Sequence, residues 1–435
     1  MMPTLLDRRR AGLERVMFIG CLVIAGEAVF SLPFHVARFF RPTVLQVFDF
    51  TNTELGAVQA VYGVVAMLAY FPGGPLADRF PARRLLTGSL LSTSLGGLYF
   101  ASFPGYRGMW LLFAYWGLTT ILLFWGALIR ATREWGGHDE QGRAYGILDG
   151  GRGLLAAVVA AGAVVVFQAL LPDDPMTATA GERREALQGV ILVYTAVTAG
   201  AGLLCWFFVP EPEAQAHTPR TALRNIGKVI RLRTVWLQAL IVVSAYVGYK
   251  GIDNYSLFAV QAYGMNEVEG AKVTAVSAWV RPVAAVGAGL LGDRFTSSRV
   301  SALCFATMIA SYSWFGLTEP VPSTPWVLYA NVLVTCAAVF GLRGIYFALF
   351  EEGSVPIEAT GTAVGLVSVI GYTPDVFVAL TAGWLLDRSP GVTGHQHFFL
   401  FLGAFAAIGL LASLLFRVEV RREHMVAPTS RARSG

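Results

Sequence analysis

Gly74-Pro-Leu-Ala-Asp78-Arg79-Phe80-Pro81-Ala-Arg83-Arg84 closes one long apolar run, and Gly289-Leu-Leu-Gly-Asp293-Arg294-Phe295-Thr-Ser-Ser-Arg299 closes another in the second half of the chain. Each stretch passes from a small residue through Asp-Arg-Phe to further cations. Held in one register, the match extends backwards and pairs Glu54 with Glu269, Val58 with Val273 and Ala60 with Ala275. A duplicated apolar unit ending in a charged clasp is the pattern of a membrane transporter built from two similar halves.

The rest of the chain has the same character. Of 435 residues, 55% are hydrophobic and 14% charged, and the mean hydropathy is +0.57, which excludes an ordinary soluble domain. A helix needs roughly 20 apolar residues to cross about 30 Å of hydrocarbon. Such runs predict spans over 14–38, 54–77, 84–103, 109–130, 144–171 and 186–209. A second set is predicted over 234–259, 268–292, 298–317, 326–350, 360–386 and 397–417. The expected fold is an all-α membrane protein with twelve transmembrane helices. Residues 1–209 form one six-helix bundle, 210–233 a cytoplasmic linker, and 234–435 the second bundle with a cytoplasmic tail.

No cleavable signal peptide is expected, because residues 1–15 are polar, carry Arg8, Arg9, Arg10 and Arg15, and lead into a full-length span. Cationic loops follow on that side, with Arg79, Arg83 and Arg84, then Arg133 and Arg143. The linker adds Arg220, Arg224, Lys228, Arg231 and Arg233, and the tail Arg417, Arg421, Arg422, Arg431 and Arg433. Positive residues mark the cytoplasmic side, so both termini and the linker are expected inside a cell inner (plasma) membrane. This bias accounts for the net charge of +5 without nucleic acid as a partner. Glu351, Glu352 and Glu358 fall on the same side and are expected to face the basic loops.

Covalent chemistry finds no support. Cys21, Cys205, Cys304 and Cys336 fall inside spans without metal-ligand spacing and read as packing residues. The six histidines are scattered, with His395 and His397 in a short outer loop, and no phosphate loop or nucleophile elbow occurs. The linker is too short for a nucleotide-binding domain, which argues against an ATP-driven pump. No enzyme activity, cofactor or metal is expected. The expected partners are the lipid bilayer, a small-molecule substrate and protons, engaged by a monomer.

The loop resembles the signature of the major facilitator superfamily, which runs Gly, three residues, Asp, a cation, any, Gly, any and two cations between helices two and three. Gly74, Asp78, Arg79, Arg83 and Arg84 match it position by position, with Pro81 at the place of the second glycine. The second copy keeps Gly289, Asp293, Arg294 and Arg299. A further echo pairs Trp125-Gly126 and Arg133-Glu134 with Arg343-Gly344 and Glu351-Glu352. After a one-residue slip, Gly142-Arg-Ala-Tyr-Gly146 matches Gly361-Thr-Ala-Val-Gly365. The resemblance implies two six-helix bundles related by pseudo-two-fold symmetry, rocking between inward- and outward-facing states around a substrate held at mid-depth. Gly74, Asp78, Arg79, Arg83, Arg84, Arg130, Arg133, Asp293 and Arg294 are then candidates for a cytoplasmic gate, with Glu134 beside them. Charges placed among helix ends can lock one state and release in the other. The blander reading of these arginines is a topology anchor.

Charge inside the membrane is expensive, so depth decides which residues matter. Arg281 lies about 12 residues into helix eight, roughly 18 Å deep at 1.5 Å per residue. No acid lies within a turn of it on its own span, so it needs a carboxylate from another helix or an anionic ligand. Arg152, about 10 residues into helix five, has Asp149 one turn before it and can pair within its helix. The resemblance implies that helices five and eight face each other, so the two guanidinium groups can clamp one anion. Glu27, about 13 residues into helix one, is the leading proton-coupling candidate, because a carboxylate at that depth can take and release a proton. Pairing with a buried arginine is its rival reading. Asp375, in Gly371-Tyr-Thr-Pro-Asp375, and Asp149 are further coupling candidates, and Pro374 is expected to break helix eleven. Lys250, Asp253 and Asn254 share one face of helix seven, where Lys250 and Asp253 are expected to neutralise each other. The candidate substrate-binding set is Arg281, Arg152, Tyr249, Asn254, Tyr372 and Arg343, the last near the inner mouth. Arg38 and Arg41 are expected to reach outer headgroups by snorkelling.

Gly142, Gly146 and Gly150, and again Gly361 and Gly365, recur every fourth residue and predict smooth faces for close helix contact. The superfamily's drug antiporters resemble one another in a Gly-rich helix five that contains proline. This chain has no proline between Arg143 and Gln168. The reading is therefore secondary active transport of a small organic anion by proton symport. A proton-driven exporter of drug-like or amphipathic molecules is the alternative. A lipid translocator is a further possibility, and a non-transporting sensor would usually carry an added soluble domain.

Overall fold

The computed structural model describes residues 5–136, 141–211, 227, 229–353 and 357–426, and among these it contains helices and turns but no strand. Arg220, Arg224, Lys228, Arg431 and Arg433, and the side chains of Arg8, Arg9, Arg10, Arg143 and Glu358, lie outside the described set. The long helices are α1 (Gly12–Phe39), α2 (Asn52–Arg79), α3 (Ala82–Ala101), α4 (Tyr106–Gly136), α5 (Ala144–Ala169) and α6 (Ala180–Phe208). They continue as α7 (Arg233–Tyr263), α8 (Glu267–Phe295), α9 (Ser297–Leu317), α10 (Pro325–Ile345), α11 (Ala363–Arg388) and α12 (Val392–Arg422). Among the described residues, eleven helices are long and apolar enough to cross a membrane. The expected total of twelve rests on α3, which has 20 residues but is more polar. Its polar side chains turn inward: Ser89 Oγ donates to Thr119 O at 2.6 Å and Thr87 Oγ1 to Gly202 O at 3.2 Å. Small hydroxyls bonded between helices are a normal adhesive in membranes.

Local sequence sets where several helices begin and bend. Thr51 with Glu54, and Thr179 with Glu182, form reciprocal capping boxes that start α2 and α6. A π-helical turn, Ser31–His35, interrupts α1, and another, Leu118–Trp125, interrupts α4. Helix α11 breaks after Gly371 and restarts with Pro374 at its first position, as the proline predicts. His395 and His397, expected in a loop, lie instead in the first turns of α12, and His395 is fully buried.

The two signature loops close differently. Phe80 and Pro81 are extended, with φ −112° and −56°, so proline fits where the family prefers glycine. At the equivalent position of the second loop Thr296 has φ +93°, a region that disfavours a β-branched residue. Strain of this kind stores about 1–3 kcal/mol, against about 0.5–1 kcal/mol for the extra chain entropy of glycine. Thr296→Gly is therefore expected to raise the thermal unfolding midpoint of purified protein. An unchanged or lower midpoint would show that Thr296 is not strained.

Two compact units divide the chain. One holds Met1–His217 with Asp253–Pro282, the other Thr218–Ile252 with Val283–Gly435. This grouping is not the same partition as the sequence halves. The residues that join the first unit begin at a 3-10 turn, Ile252–Asn254, and end at Pro282 inside α8. In the first unit α1 packs on α5 and α6, α3 on α6, and α2 on α4. Val268, Ala271 and Ala275 of α8 are buried in the same apolar core as Leu32, Val36 and Tyr194. Cys21 and Cys205 bring their sulfurs to 3.5 Å in the α1–α6 seam. In the second unit α12 packs on α7, α9 and α11, and α9 packs on α10.

Candidate functional site

The first unit builds its polar centre from three helices. Glu27 of α1 is buried, and both carboxylate oxygens are engaged. Oε1 lies 3.3 Å from His35 Nε2. Oε2 lies 3.3 Å from Arg152 Nε of α5 and 3.5 Å from Arg281 Nη1 of α8. Arg281 also donates through Nη2 to Asp149 Oδ1 at 3.1 Å, and Arg152 Nη1 stands 3.9 Å from that same oxygen. Arg152 Nε is within ion-pair distance of Glu27 but makes no hydrogen bond among the described residues, so the attraction there is electrostatic and poorly directed. Arg281 thus takes carboxylates from two other helices, and Arg152 has both the intrahelical partner that its spacing offers and an interhelical one.

Glycines make room for this arrangement. A Cβ on Gly153 would stand 3.1 Å from Cγ and Cδ of Arg281, and one on Gly26 would stand 3.0 Å from Cδ of Arg152. The arginine stems therefore cross bare backbone. By contrast, a Cβ at Gly146, Gly150 or Gly365 would meet no described atom within 4 Å, which corrects the expectation of close helix contact there. Close approach falls on Gly151 and Gly153 of α5, which flank Arg152, and on Gly26 of the facing α1. Gly142 and Gly361 lie outside the residues whose surroundings are described.

His35 is the functional candidate that sequence reading missed. It stands eight positions after Glu27, about 80° around from it on a regular helix of 3.6 residues per turn. The extra residue of the π-helical turn restores the alignment. Ser31, between them, donates to the backbone oxygen of Glu27 at 3.2 Å. His35 packs edge-on against Phe39 and Tyr194, and its Nδ1 has no hydrogen-bond partner among the described residues. A proline two residues before the histidine, Pro33, was the available signal.

An ion pair and a hydrogen bond correct the reading of the arginines at and just after the end of α1. Arg38 and Arg41 do not snorkel outward; they are 6% and 1% exposed. Arg38 Nε pairs with Asp253 Oδ1, while Arg41 Nη2 donates to Asn52 Oδ1 at 3.3 Å. Arg183 of α6 pairs with Glu267 at 2.6 Å, at the start of α8. Asn254 is buried in the 3-10 turn, and its Oδ1 has no partner among the described residues.

The second unit holds a separate aromatic and charged cluster. Lys250 Nζ lies 3.4 Å from Asp375 Oδ1, and the Tyr246 hydroxyl donates to Asp375 Oδ2 at 3.0 Å. Lys250 and Asp253, expected to neutralise each other, thus each reach an opposite charge on another helix. Arg343 of α10 stacks on Tyr249, with Cζ 4.0 Å from the ring centre, and lies 5.5 Å from that of Tyr246. Tyr246 in turn meets Tyr372 edge-on at 5.0 Å. The break at Tyr372–Thr373 is what places Tyr372 and Asp375 on one side of α7.

At the signature loop, Arg130 Nη1 donates to Ala77 O at 2.8 Å and Asp78 O at 3.4 Å, the carbonyls ending α2, and its Nε bonds Glu134. A cation on the last carbonyls of a helix opposes its negative dipole end. Arg83 Nε donates to Val209 O at 2.6 Å, and Arg84 Nε pairs with Glu211 at 2.8 Å, so these two reach the end of α6. Gly74 and Asp78 are exposed, and among the described residues the Asp78 carboxylate has no partner. Arg79 lies against Phe80 and Arg294 against Phe295; Arg133 and Asp293 are exposed. Glu352 reaches the second signature loop, between Arg294 and Arg299: it accepts from the backbone N–H of Ser298 at 2.9 Å and from the Ser298 hydroxyl, at the start of α9.

Comparison with known proteins agrees with this architecture. Two inner membrane proteins of Escherichia coli (strain K12) are each 26% identical to the chain. YqcE aligns over 415 residues, 93% of this chain and 94% of its own. YihN aligns over 434 residues, 93% of this chain and 96% of its own. Among solved structures, a bacterial homolog of the human lysosomal transporter Spinster, in an inward-facing and unoccupied conformation, superposes with a TM-score of 0.71 at 14% identity, covering 94% of this chain and 98% of that one. The sequence model of the Major Facilitator Superfamily matches residues 16–374. With that match spanning most of an all-helical, multi-pass chain, the protein belongs to the Major Facilitator Superfamily of membrane transporters.

Proposed function

We propose that the protein moves a small organic anion across the inner membrane by alternating access, in symport with protons. The observation that carries this reading is the pair of guanidinium groups, Arg152 and Arg281, drawn onto the single buried carboxylate of Glu27. That carboxylate is an internal anion occupying the position a substrate carboxylate or phosphate would take. Protonating Glu27 removes its charge and leaves both arginines ready for the incoming anion. Proton and substrate then favour each other's binding, and by linkage the effect is equal in both directions. His35 lies where it can receive the proton from Glu27 or pass one to it. Asp149 and Asp375 are the reserve coupling acids, and Tyr249, Tyr372, Asn254 and Arg343 further substrate contacts.

In this reading residues 1–209 and 234–435 are the two six-helix halves, joined by 210–233, with both termini and the linker cytoplasmic and a monomer as the working form. The signature loop set acts as the cytoplasmic gate, supported by the hold of Arg130 on the end of α2. A stabilisation screen over carboxylates, sugar acids and phosphorylated sugars tests the substrate class. A ligand at one hundred times its Kd should stabilise purified protein by about 2.7 kcal/mol, seen as a raised melting temperature. The effect should be larger at mildly acidic than at alkaline pH. Stabilisation by neutral or cationic amphiphiles alone would overturn the anion reading in favour of drug-like export.

A further inference from the structure

A cavity of about 470 Å³ opens between the first turns of α7 and the last turns of α12, lined by Arg233, Trp236, Leu237, Leu415, Val418, Glu419 and Arg422. It lies wholly in the second unit, apart from the polar cluster around Asp375. We propose that it is a binding site for one anionic phospholipid, with a phosphatidylglycerol-type headgroup in the cavity and its acyl chains along α7 and α12.

Charge and shape both support this occupant. Arg233 and Arg422 are exposed, so neither guanidinium is consumed by a buried partner. Glu419 contacts Arg422 only at 4.0 Å, which leaves the lining with a net single positive charge. A phosphodiester carries the complementary single negative charge and accepts paired guanidinium hydrogen bonds. The Glu419 carboxylate can accept hydrogen bonds from the glycerol hydroxyls, which a choline headgroup lacks.

Apolar rows lead away from the headgroup position. On α12, Ile408, Leu411, Leu415 and Val418 follow three- and four-residue spacing and are all more than 40% exposed. On α7, Trp236 and Leu240 do the same. Trp236 is anchored by donating its indole N–H to Ile230 O at 2.7 Å, which suits a ring fixed at the headgroup level. Arg231, Arg417 and Arg421 lie at the same helix ends, the concentration of cations expected on the cytoplasmic leaflet where anionic lipids attract them.

Native mass spectrometry of the whole protein, released from nanodiscs of equimolar phosphatidylglycerol, phosphatidylcholine and phosphatidylethanolamine, tests the site. Wild type should retain one phosphatidylglycerol with a preference of about tenfold over the other two. Arg233→Gln combined with Arg422→Gln should lose that preference. Leu415→Trp places a bulky ring in the cavity without changing charge and should lose it as well. Retention in proportion to supply, or preference for phosphatidylethanolamine, overturns the proposal. So does a Leu415→Trp protein that keeps the preference, since the arginines would then act only as diffuse surface charge.

Discussion

Arg281→Ala is expected to eliminate binding of the anionic substrate, and Arg281→Lys to weaken it by about tenfold or more while folding survives. Arg281 pairs with Glu27 and Asp149 at 3.5 and 3.1 Å, as Arg152 does at 3.3 and 3.9 Å, and so ties α8 to both carboxylates. Lysine keeps the charge but presents a single ammonium in place of the planar fork, and it cannot reach both carboxylates with the same geometry. Removing one partner of a buried ion pair typically costs about 3–5 kcal/mol. Here Arg152 and His35 remain beside Glu27, so the loss should be smaller and the protein should still purify. Isothermal titration with the anion found by the stabilisation screen provides the measurement. Binding by Arg281→Ala as tight as wild type, or a neutral substrate, would remove the anion clamp and leave export of drug-like molecules as the better account.

Glu27→Gln should abolish accumulation driven by a pH gradient while sparing exchange of labelled substrate at equal pH. Glutamine keeps the shape of the side chain but removes the negative charge from between Arg152 and Arg281. The two arginines then meet an incoming anion without the Glu27 charge between them, with Asp149 still beside both. Anion binding should become insensitive to pH, and at neutral pH tighter than in wild type. Each tenfold gain corresponds to about 1.4 kcal/mol. Reconstituted vesicles with an imposed gradient, assayed beside counterflow, separate the two activities. Gradient-driven uptake at the wild-type rate would take Glu27 out of the mechanism and move the coupling to Asp149 or Asp375.

The sequence by itself determined the family and the helical plan. The duplicated Asp-Arg-Phe loops and the apolar runs are local and periodic, and each span can be read without knowing its neighbours. Glu27, Arg152 and Arg281 could also be singled out, because a charge deep in an apolar helix is visible as an exception to its surroundings. Their partners could not. Glu27 and Arg281 are separated by most of the chain, and nothing in either helix's spacing specifies that one carboxylate would be shared by two guanidinium groups and an imidazole. The same limit explains Arg38 and Arg41. Near a span's end, snorkelling and burial look alike until Asp253 and Asn52 are placed beside them. His35 became legible only through the π-helical turn, since one extra backbone residue rotates every later side chain relative to Glu27. Hydrophobic burial in a bilayer is encoded residue by residue, whereas pairing of charges depends on which helices meet. That meeting is set by packing throughout the bundle, as at Gly26 and Gly153, where missing side chains let the arginine stems pass.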